Sequence, residues 1–167
     1  MRTYIILGMH RTGTTFLTQS LQRNGVHIGD NLDIAYAENR DFLALNHKII
    51  EATSGSWASG GMPPSIEEIL SLQGKFDEDI KATIARNAKY RRWAFKDPRT
   101  SITIPLLMPH VLAVDSDPFI YACFRRPAKI AESLYRRQQL RRDIGRQVAK
   151  AYNISLISFL REFTEVG

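Results

Sequence analysis

The chain has 167 residues, of which 44% are hydrophobic and 10% aromatic, with a formal net charge of +6. That size suits one domain with a single core, and the composition excludes a disordered or low-complexity protein. The single cysteine, Cys123, excludes an internal disulfide framework, and no apolar run approaches the roughly 18 residues of a membrane span. The basic balance points to an anionic partner, whether nucleotide, sulfated sugar, nucleic acid or membrane surface, with solubility alone as the competing explanation.

In chain order, "TYIIL" (3–7) is a short β-branched run bounded by Gly8, as expected of a buried parallel strand. A strand starting this early leaves no room for a secretory leader, so a cytoplasmic location is expected. From Gly13, residues Phe16, Leu17 and Leu21 recur at helical spacing, and Asn24-Gly25 supplies a stop. "VHIG" (26–29) reads as a second short strand. Residues 34–52 read as a helix with Phe42, Leu45 and Ile49 on one face. "TSGSWASGGMPPS" (53–65) is a long loop of the kind that forms lids or binding segments. Ser65 and Glu68 have the spacing of a capping box, opening one or two helices that run to about residue 90 with a break near Gly74.

"RWAF" (92–95) is expected to be a third strand, and 100–114 a short or kinked helix carrying Pro105 and Pro109. "FIYACF" (119–124) reads as another buried strand. Pro127 opens a long arginine-studded helical stretch, and 153–163 closes the chain with an amphipathic helix. Strands alternating with helices predict an α/β fold: a three-layer parallel sheet with helices on both faces, similar to the P-loop nucleotide triphosphatases, as one domain over 1–167.

Three motifs carry chemistry. "LGMHRTGTTFL" (7–17) has glycines five apart, Gly8 and Gly13, followed by Thr14 and Thr15. It is nearly G-x-x-x-x-G-K-[ST], with threonine in the lysine position and Arg11 inside the loop. A glycine turn between strand and helix aims backbone N–H groups at an anionic oxygen cluster. Losing the lysine suggests a less charged transferring group than a terminal phosphate, with Arg11 meeting the charge that builds on the leaving oxygen. "FRRPAKIAES" (124–133) places Arg125 at a strand end and Ser133 about two turns into the next helix, on the edge where open parallel sheets bind ligands. "FKDPRTS" (95–101) places Lys96, Asp97 and Arg99 on that edge too, where a local ion pair is an equally good reading.

Together these segments resemble the sulfotransferases. "GMHRTGTTFL" is similar to that family's 5′-phosphosulfate loop, in which a basic residue precedes Ser/Thr-Gly-Thr-Thr/Ser. "RRPAKIAES" resembles its 3′-phosphate motif, an arginine with a serine eight positions later. "KDPR" is similar to a strand-end motif of bacterial members, and "YAENRDFLALN" (36–46) to the acidic segment after the first helix. The resemblance implies a donor, 3′-phosphoadenosine 5′-phosphosulfate (PAPS), and sulfuryl transfer to an acceptor hydroxyl or amine without a metal. It implies that Arg11, Thr12, Gly13, Thr14 and Thr15 hold the 5′-phosphosulfate, and that Arg125 and Ser133 hold the 3′-phosphate. Arg11 and Glu38 would be catalytic, Glu38 as base. Of the other candidates for the base, His10 lies inside the loop, His27 follows the first helix, His47 lies on a helix, and His110 beside Pro109 reads as structural. The sequence departs from the family in having Arg11 where many members have lysine, and in lacking a basic-glycine motif after the last helix, which would make it a minimal member or a fragment.

The expected acceptor is a small molecule or carbohydrate. The arginine run 135–147 reads as a solvated face or a recruiter of an acidic acceptor, and no nucleic-acid module is recognisable. Two other functions fit the same motifs. One is a P-loop kinase or triphosphatase with a degenerate loop and Asp97 as metal ligand; the other is a non-catalytic module that binds PAPS or its desulfated product.

Overall fold

The computed structural model describes residues 1–56 and 61–165. In chain order the elements are β1 (Arg2–Leu7), α1 (Thr14–Arg23), β2 (Leu32–Asp33), β3 (Glu38–Asn39), α2 (Arg40–Glu51), α3 (Ile66–Leu70) and α4 (Asp77–Asn87), then β4 (Arg92–Lys96), α5 (Thr100–Leu112), β5 (Phe119–Ala122), α6 (Pro127–Gln138) and α7 (Arg142–Glu165). The chain is α/β, with a three-stranded parallel sheet in the order β4-β1-β5 and a separate antiparallel pair, β2–β3.

β1 is central because both its faces are apolar. Successive strand residues point to opposite sides: Ile5 and Leu7 enter one cluster, Tyr4 and Ile6 another. The first cluster is the larger. Trp93 and Phe95 of β4 stack there on Phe42 of α2, with Phe42 and Phe95 ring centroids 4.0 Å apart, and Ile104 and Leu107 of α5 and Tyr152 and Leu156 of α7 close around them. The second cluster packs Val26, Ile28 and Ala94 against the half-buried Leu17 and Leu21 of α1. Because β1, β4 and β5 are parallel, their carboxyl ends share one edge, and the segments after Leu7, Lys96 and Ala122 all leave from it.

Several expected elements take their predicted form. The Ser65–Glu68 capping box is complete, and the 66–87 region is two helices with Gly74 between them. Loop 53–65 is only partly described, and its residues 57–60 lie outside the described residues; at its base the Ser56 N–H donates to Met62 O at 2.9 Å.

Six expectations are corrected. The 26–29 strand is a single parallel bridge, His27 to Trp93, since Val26 N–H already bonds Leu21 O at the end of α1. The 34–52 helix begins only at Arg40, because Asn39 Oδ1 caps the N–H groups of Asp41 and Phe42, while 34–37 form the turn between β2 and β3. The 119–124 strand ends at Ala122 and is only half-buried, for no strand among the described residues pairs with its outer edge. The arginine-rich stretch is divided between two helices at Gln139, which takes φ 56°, and the closing helix expected at 153–163 is the continuation of α7 rather than a separate element; Gly145 lets α7 approach Ala131 of α6 closely. Finally, Phe16 keeps the helical spacing of a core residue yet is 74% exposed. Among the described residues no helix is long and apolar enough to cross a membrane.

Gly8 joins β1 to the rest of this edge. Its φ is 146°, its N–H donates to Ser101 Oγ at 2.7 Å, and a Cβ there would lie 2.7 Å from Cys123 O and from Thr12 Oγ1. Gly8→Ala is therefore expected to lower stability by about 2 kcal/mol or more, through strain and overpacking together. Chemical denaturation compared with Gly25→Ala, which shares the strain of a positive φ (75°) but whose Cβ meets nothing within 4 Å, checks the overpacking part: Gly8→Ala is expected to cost the more of the two.

Candidate functional site

The loop between β1 and α1 folds on itself before the helix starts. Thr12 sends both its N–H (3.3 Å) and its hydroxyl (2.8 Å) to Met9 O. Arg11 takes φ 72°, a left-handed conformation uncommon for a side-chain-bearing residue, and Gly13 follows at φ 102°. The N–H groups of Gly13, Thr14 and Thr15 have no acceptor among the described residues. Opening a ten-residue helix, they form a cluster of donors reinforced by the helix dipole.

Two predicted residues from a distant segment meet this loop. Arg125 Nη1 donates to Arg11 O at 2.9 Å, and Arg11 Nε donates to Ser133 Oγ at 2.8 Å. Arg11 is thus held at its backbone and at its side chain by the segment that follows β5.

Beside this junction lies a cavity of about 370 Å³. Of the predicted residues, Arg11, Thr14, Thr15 and Glu38 line it; Thr12, Gly13, Arg125 and Ser133 do not, though the last two are bonded to Arg11. His10, Lys96, Arg99 and Arg137 also line it, with Asp33, Tyr36 and Tyr152. Four cations against the carboxylates of Asp33 and Glu38 suit an anionic ligand.

The inner cations are already paired. Lys96, 2% exposed, donates to Glu38 Oε1 at 2.9 Å and to Tyr36 O at 3.0 Å. Burial raises the pKa of Glu38, while the Lys96 ammonium opposes the shift. No donor reaches its other oxygen among the described residues. The fully buried Asp97 is engaged at both oxygens, accepting from Asn46 Nδ2 (3.1 Å) and Arg99 N–H (3.0 Å) at one and from Arg99 Nη1 (2.7 Å) at the other. Asn46 also donates to Thr100 Oγ1 and accepts from Thr103, so "KDPRTS" ties α2 to α5. With both oxygens so bonded, Asp97 is a structural anchor and a poor metal ligand. No three His, Cys, Asp or Glu side chains among the described residues cluster as a metal site would require.

The histidines separate clearly. His10 is desolvated and surrounded by Arg99, Lys96, Arg11 and Arg137, which lower its pKa to about 3. An imidazole so hard to protonate is a weak general base at neutral pH. His110 pairs with Asp77 at 3.1 Å and His27 stacks on Tyr90, so both are structural. His47 has its pKa lowered by burial and is not among the residues lining the cavity.

Sequence reasoning missed Tyr36, Arg137 and Tyr152. Tyr36 belongs to the β2–β3 turn; its carbonyl accepts from Thr15 Oγ1 at 3.1 Å as well as from Lys96. Arg137 lies one turn beyond Ser133 on α6, a spacing that offered the available clue. Its guanidinium sits 4.8 Å above the Tyr36 ring and donates to the Tyr36 hydroxyl. Tyr152, 4% exposed, has its pKa pushed up to about 12 by burial.

Neither a protein-family model, nor a curated protein, nor a solved structure matches this chain.

His10 supplies a direct check of the site's electrostatics. Because its folded pKa lies below its ordinary 6.5, the folded state binds fewer protons than the unfolded one in that window. The contribution to stability is complete above pH 6.5 and is lost as pH falls toward about 3. In a proton NMR titration the His10 ring resonance should stay at its neutral position well below pH 6.5, and a midpoint at the ordinary value would contradict this field.

Proposed function

We propose that the chain is a sulfotransferase that moves a sulfuryl group from PAPS to an acceptor hydroxyl or amine, on a three-layer fold of the P-loop type. The observation that carries this reading is the junction at Arg11. The loop whose unbonded N–H groups open α1 is tied to Arg125 and Ser133, the two residues expected at the donor's far phosphate.

The residues fit such a donor. Gly13, Thr14 and Thr15 offer N–H groups to the 5′-phosphosulfate, and Thr14 and Thr15 line the cavity. The Thr15 hydroxyl is committed to Tyr36 O, so Thr15 serves mainly through its backbone. Arg11 supplies the positive charge that a triphosphatase takes from its lysine, and a sulfonate carries one negative charge where a terminal phosphate carries nearly two.

Sulfuryl transfer needs an in-line approach and a base for the acceptor's proton. Glu38 takes that proton at the oxygen Lys96 leaves unbonded, while the acceptor oxygen or nitrogen bonds to sulfur. The sulfur's bond to the bridging oxygen breaks, and 3′-phosphoadenosine 5′-phosphate departs with the electron pair. Arg11 stabilises the charge on that departing oxygen. Lys96 keeps Glu38 oriented and offsets its desolvation. The weak basicity of His10 favours Glu38 for this role.

Calorimetric titration with 3′-phosphoadenosine 5′-phosphate, adenosine 5′-phosphate and ATP tests the donor. The bisphosphate is expected to bind tightest, and Arg125→Ala to weaken it about tenfold or more, as loss of a charge-assisted contact does, with a far smaller effect on the monophosphate. Equal losses for both would refute the 3′-phosphate assignment, and a magnesium-dependent preference for ATP would favour phosphoryl transfer.

Glu38→Gln tests the base. It should reduce transfer by about 10²-fold or more while leaving bisphosphate affinity near normal. Since burial raises the Glu38 pKa, kcat/KM should fall on the acid side at a pH above the ordinary carboxylate range. An unchanged profile in Glu38→Gln would remove it from the mechanism.

A further inference from the structure

Among the described residues, two of the four cations lining the cavity are neutralised by neighbouring carboxylates and two are not. Lys96 is neutralised by Glu38 and Arg99 by Asp97, each in a short ion pair. Of the cavity's four cations, Arg11 and Arg137 make no ion pair among the described residues; Arg11 bonds the Ser133 hydroxyl and Arg137 the Tyr36 hydroxyl. One carboxylate, Asp33, remains to oppose two guanidinium charges.

Arg137 is also singled out within the arginine-rich run that spans the end of α6 and the start of α7. Of the five arginines from 136 to 146, Arg136 and Arg142 are ion-paired to Glu132 and Arg141 to Asp143, and Arg137 is the one that lines the cavity. Tyr36 holds it without cancelling its charge. The ring lies under the guanidinium, and the Tyr36 carbonyl is itself fixed by Thr15 and Lys96. A guanidinium held over an aromatic face and on its hydroxyl is pre-oriented yet still charged, the form in which arginine recognises carboxylates and phosphates. Ser133 and Arg137 are one helical turn apart, so the guanidinium on the Ser133 side and that of Arg137 flank the same face of α6.

We infer that the acceptor is an acidic molecule: beside the hydroxyl or amine that takes the sulfuryl group it carries its own oxyanion, which Arg137 binds. This rests on the sulfotransfer reading, in which Arg11 serves the donor and leaves Arg137 for the acceptor. Arg137 is then a specificity-determining residue, and Tyr36 positions it.

The test uses two matched pairs, 4-hydroxyphenylacetate with 4-hydroxyphenylacetamide and D-glucuronate with D-glucose. Each is titrated calorimetrically into the whole chain, with and without saturating 3′-phosphoadenosine 5′-phosphate. At least one acid is expected to bind about tenfold or more tightly than its neutral twin. Arg137→Gln should erase that preference and Arg137→Lys restore part of it, while bisphosphate affinity changes less than about twofold in either. The aromatic and sugar arms then distinguish the acceptor's skeleton. The inference is overturned if acids and neutral twins bind alike in both pairs, or if Arg137→Gln leaves the preference intact. It is also overturned if that variant weakens the bisphosphate as much as the acid, which would make Arg137 a donor ligand. Lack of bisphosphate binding by the unmodified chain would sink the donor reading instead, and the acid preference measured without it would still be decided on its own.

Discussion

Arg11 is the fixture on which the site depends. Its backbone adopts a left-handed φ, a conformation that persists only where the surroundings enforce it. Here Arg125 holds its carbonyl and Ser133 holds its guanidinium. Each tie joins the loop to the segment after β5, and either one remains when the other is removed. The parallel sheet makes this arrangement possible, for it delivers the ends of β1, β4 and β5 to one edge, and Gly8 lets the first of them pass close beside Cys123.

Around that fixture the charges are graded by depth. Buried cations are matched by carboxylates, Lys96 with Glu38 and Arg99 with Asp97, as the cost of isolated buried charge demands. Exposed guanidinium groups at the mouth are bonded to hydroxyls and keep their charge. The result is a pocket whose outer guanidinium groups suit an anion and whose wall holds a carboxylate with one oxygen unbonded among the described residues. Burial, reinforced by the same cations, keeps His10 neutral, so the positive potential acts on ligands without adding a charged imidazole.

Much of this was legible in the sequence, for local reasons. A β-branched run, two glycines and a helical period specify strand, loop and helix without tertiary information, and Ser65 with Glu68 declares a helix start by chemistry alone. The strand-end position of Lys96 followed from the parallel sheet that the alternation implied, whereas Arg125, expected at the end of its strand, lies past Ala122, the last residue of β5. What was hidden depended on partners distant in sequence. The β2–β3 pair has two residues per strand, too few for any period, so Glu38 was expected on a helix and Tyr36 went unremarked. Arg137 looked like its four neighbouring arginines until the acids took three of them. Asp97 had the look of a ligand-edge acid, and only the buried Asn46 and Arg99 reveal it as an anchor. Phe16 shows the converse: core spacing without a neighbour to cover it.

A crystal structure of the chain with 3′-phosphoadenosine 5′-phosphate bears most directly on the central claim. The expected result is a 5′-phosphate on the N–H groups of Gly13, Thr14 and Thr15, with the 3′-phosphate against Arg125 and Ser133. A nucleotide bound elsewhere, or one whose 3′-phosphate points to solvent while Arg125 stays on the Arg11 carbonyl, would contradict it.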